Sequence, residues 1–438
     1  MARLPALMPG DGGLGSRLLL LAPAWLILFV AAVTPTAALL PDQGDVRLYF
    51  EKARELATGE VPYRDFRFHY PPGALLPMAV PFLASFLGPI DLAAYKVLFA
   101  GWQATLMIVL GVVLGRVAER IAIDEVRVTG GDAGRAIDDR VRGVGWRVAV
   151  LSIGAVLALT WRYDLFPAVL AMIAVWAAIE GRPAWAGFAL GAGVLAKLYP
   201  VAILPALAVV WLVPFDFRRL ARLGAGFGLA ILVGFLPFVA LAGRRAFDFF
   251  EYQVGHGIQI ESMGGGIAIL VGLLTGDPAG TSFEHARVQV EGPIASAWLA
   301  LVPPLTIVGF AVLGWLGWRR IRTEVARVGG IQASTVVTLA GASVLMLLVT
   351  SKVYSIQYIV WLLPFMALLR GRAFWLAAAI AALTMPIHPL LYTELIRQEA
   401  LPVLLLNVRN ALLVVLTLVF LADLRLNVAL RPIPRSES

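Results

Sequence analysis

The chain has 438 residues, of which 60% are hydrophobic and 15% charged, with a net charge of +8 and a mean hydropathy of +0.83. Soluble domains carry roughly 25% charged residues and about half apolar ones, so an ordinary water-soluble protein is excluded. With no cysteine, disulfides, thiolate catalysis and Cys-based zinc sites are excluded too. The four histidines, His69, His256, His285 and His388, show no metal-ligand spacing. The basic excess reads as the Lys/Arg bias of cytoplasmic loops beside anionic lipid, and no nucleic-acid partner is expected.

In chain order, about thirteen apolar segments follow one another, at 17–39, 71–88, 92–117, 147–160, 164–180, 183–197, 198–213, 222–243, 294–317, 333–350, 355–370, 373–391 and 402–424. Continuous apolar runs satisfy their backbone in lipid as helices, whereas a membrane barrel would alternate. They predict an all-α polytopic membrane protein with about 12–13 transmembrane or re-entrant helices in a single domain over 1–438. The first run is long and lacks a small-residue cleavage site, so it reads as a retained helix.

Basic clusters set the orientation. Arg218, Arg219 and Arg222, then Arg319, Arg320, Arg322 and Arg327, then Arg370 and Arg372, and finally Arg425, Arg431 and Arg435 fall on the cytoplasmic side, as do Arg3 and Arg17. The 425–438 stretch is then a cytoplasmic tail. Both ends inside requires an even number of crossings, so one segment fails to cross or two merge. The short segments between 147 and 213 and the Pro-rich 71–88 are the candidates. The charges of the 116–147 loop nearly balance and do not help. Residues 40–70, 244–293 and the turn at 351–354 face outward, on a cell membrane.

The first outward stretch carries a helical pattern. Val46, Tyr49, Phe50, Ala53, Leu56 and Ala57 share one face, and Arg47, Glu51, Lys52, Arg54 and Glu55 the other, which predicts an interfacial helix ending near Gly59. Asp45 at its start can accept a proton from an attacking hydroxyl, or simply cap the helix. Asp65, in the segment running from Gly59 to Gly73 through His69 and Tyr70, also reads as a turn residue before the Pro71-Pro72 helix start.

Four further clusters interrupt apolar sequence. In Trp161-Arg162-Tyr163-Asp164, the two charges either serve a site or pair with each other while Asp164 caps the next helix. Lys197, before Leu198-Tyr199-Pro200, stands alone among apolar residues and either meets an anion such as a lipid phosphate or snorkels to the interface. Lys352 lies outside, where Lys is disfavoured, and Tyr354, Gln357, Tyr358 and Trp361 follow it. The aromatics form an interfacial belt or stack on a sugar ring. The polar, Gly-containing stretch 251–263 includes Gln253, His256, Gln259 and Glu261 and matches no nucleotide-binding fingerprint.

Taken in order, these motifs resemble the GT-C superfamily of multi-spanning glycosyltransferases, and within it glycosyltransferase family 87 (GT87), which includes polyprenyl-phosphate-mannose-dependent mannosyltransferases. The resemblance covers about residues 18–370. It rests on Asp45 with Tyr49, Pro62-Tyr63-Arg64-Asp65-Phe66 leading to Tyr70-Pro71-Pro72-Gly73, Arg162 to Pro167, Lys197 to Pro200, and Lys352 with Gln357, Tyr358 and Trp361. It implies an extracytoplasmic site under the first loop, with Asp45 as general base and a polyprenyl-phosphate sugar as donor.

The resemblance also implies a glycolipid or glycan acceptor. Lys197, Lys352, Arg162 and His256 would hold the donor phosphate. Tyr49, Asp65, His69, Tyr70, Asp164, Gln259, Glu261, Tyr354, Gln357 and Tyr358 would line the substrates. No cofactor is required, and a divalent metal is left open. Two departures stand out. The family tends to show a His and then an Arg where this chain has Gln253 and His256, and His69 replaces a common acidic residue before Tyr-Pro-Pro. An arabinosyl- or glucosyltransferase of the same architecture, a lipid or sugar transporter, and a non-catalytic assembly partner remain as rival readings. Transporters often show paired repeats, and none is evident here.

Overall fold

The computed structural model describes residues 21–33, 44–284 and 287–425. Helix α1 (Ala22–Val33) precedes α2 (Gly44–Ala57), and a 3-10 turn at Pro72–Ala74 opens α3 (Leu75–Phe82). A long pair follows, α4 (Leu92–Thr129) and α5 (Ala133–Trp161), and then the shorter α6 (Leu165–Ile179), α7 (Pro183–Ala196) and α8 (Leu204–Leu212). Next come α9 (Phe217–Ala242), α10 (Asp248–Val254) and α11 (Met263–Thr275). Strands β1 (Ile258–Gln259), β2 (Thr281–Glu284) and β3 (Arg287–Val290) form one small antiparallel sheet in the order β1-β3-β2. The chain continues through α12 (Pro293–Val328), α13 (Ala333–Thr350), α14 (Ile359–Met366), α15 (Gly371–Met385), α16 (Tyr392–Ile396) and α17 (Ala400–Arg425).

Among the described residues, seven helices are long and apolar enough to cross a membrane, and the protein is an all-α, multi-pass membrane protein. Outward-facing side chains agree. Val233 and Leu232 on α9 and Ile307 and Val308 on α12 are more than half exposed, a surface suited to lipid and costly in water.

Apolar side chains gain little by leaving lipid for a helix contact, so close packing and small residues hold such helices together. The α7–α9 crossing shows this. A methyl group on Gly187 would lie 2.0 Å from the Leu223 carbonyl oxygen, and one on Gly226 would lie 2.0 Å from that of Ala184.

The 116–147 region is not a loop. Both long helices run through it and turn only at 130–132, where Gly130 takes φ +77° and Asp132 caps α5 by accepting from the Gly134 amide at 2.8 Å. Part of its nearly balanced charge pairs within the hairpin, as Arg116–Glu119 and Arg140–Glu125. The apolar 147–160 run is thus the second half of a 29-residue helix and no longer a candidate for failing to cross.

Segment 71–88 breaks into short helical turns. It and the first turn of α4 pack beside α2, where Phe50 touches Phe82 and Tyr95, and Tyr95 donates to the Met78 carbonyl at 2.8 Å. Residues Arg3, Arg17, Arg431 and Arg435 lie outside the described residues.

The 244–293 region is richer than a polar loop. Its Gly264-Gly265-Gly266 run lets α11 press onto neighbours, since a methyl on Gly265 would sit 2.2 Å from the Gln259 carbonyl oxygen. Helix α2 forms over Gly44–Ala57 as its amphipathic pattern demands, with Val46, Tyr49 and Ala53 buried.

Candidate functional site

At one end of the bundle lies a cavity of about 510 Å³, lined from the helix ends and connecting segments that converge there. The basic residues Arg219, Arg120, Arg140 and Arg370 collect at the other end, around two smaller cavities. The chamber has two walls of different character.

The first wall comes from α2, the 69–71 segment and two helix breaks. Asp45 occupies the first turn of α2 and pairs with Arg162, which follows the end of α5. The Tyr49 hydroxyl, one helical turn on, donates to Asp45 at 3.4 Å. The Asp45 side chain stays 35% exposed, so a substrate can reach it while it is paired. Arg162 is set in place by its own backbone, because the buried Gln103 amide donates to the carbonyl oxygens of Leu159 and Arg162.

The bland reading of Arg162 and Asp164 as a mutual pair does not occur. Asp164 makes no cap hydrogen bond and is only 1% exposed. It accepts from the Lys197 ammonium at 2.6 Å and from the Trp361 indole at 2.7 Å. Lys197 follows the end of α7, where Gly73 of the Tyr-Pro-Pro-Gly motif packs so closely that a methyl would fall 2.8 Å from the Leu195 backbone. The ammonium faces inward, within 6 Å of the rings of Tyr163, Trp361 and Tyr358. Tyr199 and Tyr358 both stack on Trp361. These aromatics are buried in the chamber wall, so they form no interfacial belt.

The second wall is built by the 255–262 segment, the β2–β3 hairpin and residues near 388–392. Gln259 donates to Glu261 at 2.8 Å, and Arg409 on α17 donates to the Glu261 carbonyl oxygen at 2.8 Å. Asn407 and Asn410 on the same helix donate to the carbonyls of Gly266 and Ser262. One Glu261 carboxyl oxygen is buried without a hydrogen-bond partner. Burial pushes its pKa up to about 7, against the opposing pulls of Arg409 and Gln259.

Between the ordinary value of 4.5 and about 7, the folded protein therefore holds a proton that the unfolded chain has released. Stability should fall as pH rises through that window and level off above it. Thermal unfolding followed across it should show a shallower decline for Glu261→Gln than for the unaltered protein. Parallel declines would remove Glu261 as the source.

The chamber brings together Asp45, Tyr49, His69, Tyr70, Arg162, Asp164, Lys197, Gln259, Glu261, Gln357 and Tyr358. Four expected site residues do not line it. Asp65 is a turn residue that accepts from the Val61 amide at 2.7 Å and pairs with Arg64. These contacts, the Arg64 hydrogen bond first, hold its carboxyl down at about 2. The Lys352 ammonium donates to the carbonyls of Val254 and His256, at 2.7 and 2.6 Å, and fastens the 255–262 segment from behind. His256 is 3% exposed, with Nδ1 3.2 Å from the Gln253 carbonyl. Tyr354 is buried beneath Arg409, whose guanidinium lies 4.0 Å from its ring centre.

Other lining residues carried weaker sequence signals. Arg287 and Phe283 sit on the hairpin, while His388 and Tyr392 arrive through a break after α15. Arg409 stands behind the wall, and the signal that exposed Lys197, a charge inside an apolar run, was present at 402–424 as well.

A helical membrane protein with a chamber of charged and aromatic groups at one end of its bundle has the makings of an enzyme for polar substrates. The chain belongs to glycosyltransferase family 87, whose sequence model matches residues 68–351. It is accordingly a glycosyltransferase, acting between a sugar donor and an acceptor. The match includes Arg162, Asp164, Lys197, Glu261 and Arg287, and stops short of Asp45 and Lys352 on either side. No curated protein matches the chain.

Proposed function

We propose that the protein transfers a hexose, with mannose the first choice, from a polyprenyl-phosphate sugar to a glycolipid or lipid-linked glycan at the extracytoplasmic face of the cell membrane. The observation that carries this reading is the meeting, in one chamber, of an accessible carboxylate with several cations at the end away from the main basic clusters. By the positive-inside rule that end faces outward. A lipid-borne donor suits a site reached from the membrane.

In this mechanism Asp45 takes the proton of the acceptor hydroxyl. The oxygen attacks the anomeric carbon as the bond to the phosphate oxygen breaks on the opposite face, and configuration inverts because the displacement is single. The departing phosphate carries its charge away and is met by fixed cations in a partly dry site. Arg162 holds the Asp45 carboxylate in place, and the Asp164–Lys197 pair keeps the adjoining wall rigid.

The direct test is purified protein in liposomes with polyprenyl-phosphate mannose and a glycolipid acceptor. The expected result is a mannosylated product with inverted linkage. Turnover only with nucleotide sugars would overturn the donor class. Movement of the donor across the bilayer without glycosidic bond formation would favour the transporter reading.

A further inference from the structure

Three cations line the chamber, and two of them are already matched, Arg162 by Asp45 and Lys197 by Asp164. Arg287 is different. Among the described residues no carboxylate lies within ion-pairing distance of it, and its Nη1 is buried without a hydrogen-bond partner. It lines the chamber with Tyr358, on the wall that carries Trp361. A buried N–H without a hydrogen-bond partner is costly, and an incoming anion would remove that cost. The planar fork of Arg donors fits phosphate oxygens in pairs.

The same hairpin carries Phe283, which lines the chamber and is 73% exposed, so it stands at the rim. The hairpin is seated by β1, which pairs with β3 through Ile258–Val290 and Gln259–Gln289. Val288 and Val290 are buried and anchor it, while Arg287 reaches into the chamber. A cation set inward and an apolar ring at the mouth match the two halves of one amphiphile, a phosphate joined to a hydrocarbon chain.

We propose that the β2–β3 hairpin recognises the lipid donor, with Arg287 binding its phosphate and Phe283 the adjoining isoprene unit. The assignment rests on the prenyl-phosphate reading above. It places the phosphate without breaking either existing ion pair, and it leaves Asp45 and Tyr49 to the acceptor.

The test uses the full-length protein in detergent, with the Asp45–Arg162 pair intact, and titrates it by calorimetry with farnesyl phosphate, which carries no sugar to transfer. Charge-assisted hydrogen bonds of this kind contribute enough for Arg287→Gln to weaken binding about tenfold or more, with Arg287→Lys recovering part. Phe283→Ala, at an exposed position, should weaken farnesyl phosphate binding and leave inorganic phosphate unaffected. Thermal unfolding without ligand checks that each variant is folded. Unchanged farnesyl phosphate affinity in both Phe283→Ala and a folded Arg287→Gln or Arg287→Lys variant would overturn the hairpin assignment while the donor class stood. If the unaltered protein binds no farnesyl phosphate, the donor class fails and the assignment with it.

Discussion

An Asp45→Asn enzyme is expected to lose transfer by about 10²–10⁴-fold, the usual contribution of a positioned general base. The amide keeps the shape of the side chain and can still contact Tyr49, so the protein should insert and fold. What disappears is the site that takes the acceptor proton. The side chain sits in the first turn of α2, at the chamber wall, and remains partly exposed beside Arg162. The measurement is initial rate across acceptor concentrations at saturating donor, paired with a thermal unfolding curve. A loss confined to KM would assign Asp45 to binding alone. Undiminished turnover in a correctly folded variant would remove it from the base role.

The second large effect concerns the buried pair. Asp164→Ala leaves the Lys197 ammonium among Tyr163, Tyr358 and Trp361 with no counter-charge, and it also strips the Trp361 indole of its acceptor. Breaking one half of a buried ion pair costs about 3–5 kcal/mol. Removing both charges with an apolar pair of similar volume, Asp164→Leu with Lys197→Met, is often close to neutral. The double variant should therefore regain most of the thermal stability that the single one loses. Transfer should stay low in both, because the charged wall is gone. A single variant as stable as the parent would mean that the pair is not buried as described. A fully active double variant would make it a packing device only.

Much of the architecture is legible in the amino-acid order, because lipid leaves so few choices. Apolar runs such as 333–350 must be helices, since their backbone polar groups have no water to turn to. The amphipathic spacing of Val46, Tyr49 and Ala53 likewise marks α2. Charges that interrupt such runs are costly, which is why Arg162, Asp164 and Lys197 stood out and now meet at one chamber. The same reasoning applied to Arg409 would have found the residue that fixes Glu261.

Sequence position could not say which charge meets which. Arg162 and Asp164 are neighbours in the chain, yet their partners are Asp45 and Lys197, because α2 and the break after α7 arrive from remote sequence. Asp65 and Lys352 share the residue types of the site, but their local turns and carbonyls claim them first. Nor does composition reveal that 71–88 packs beside α2, or that Arg287 enters the chamber on a hairpin. Both follow from where helices of fixed length end against one another. Residue chemistry is a local property, whereas pairing and burial depend on the whole packed bundle.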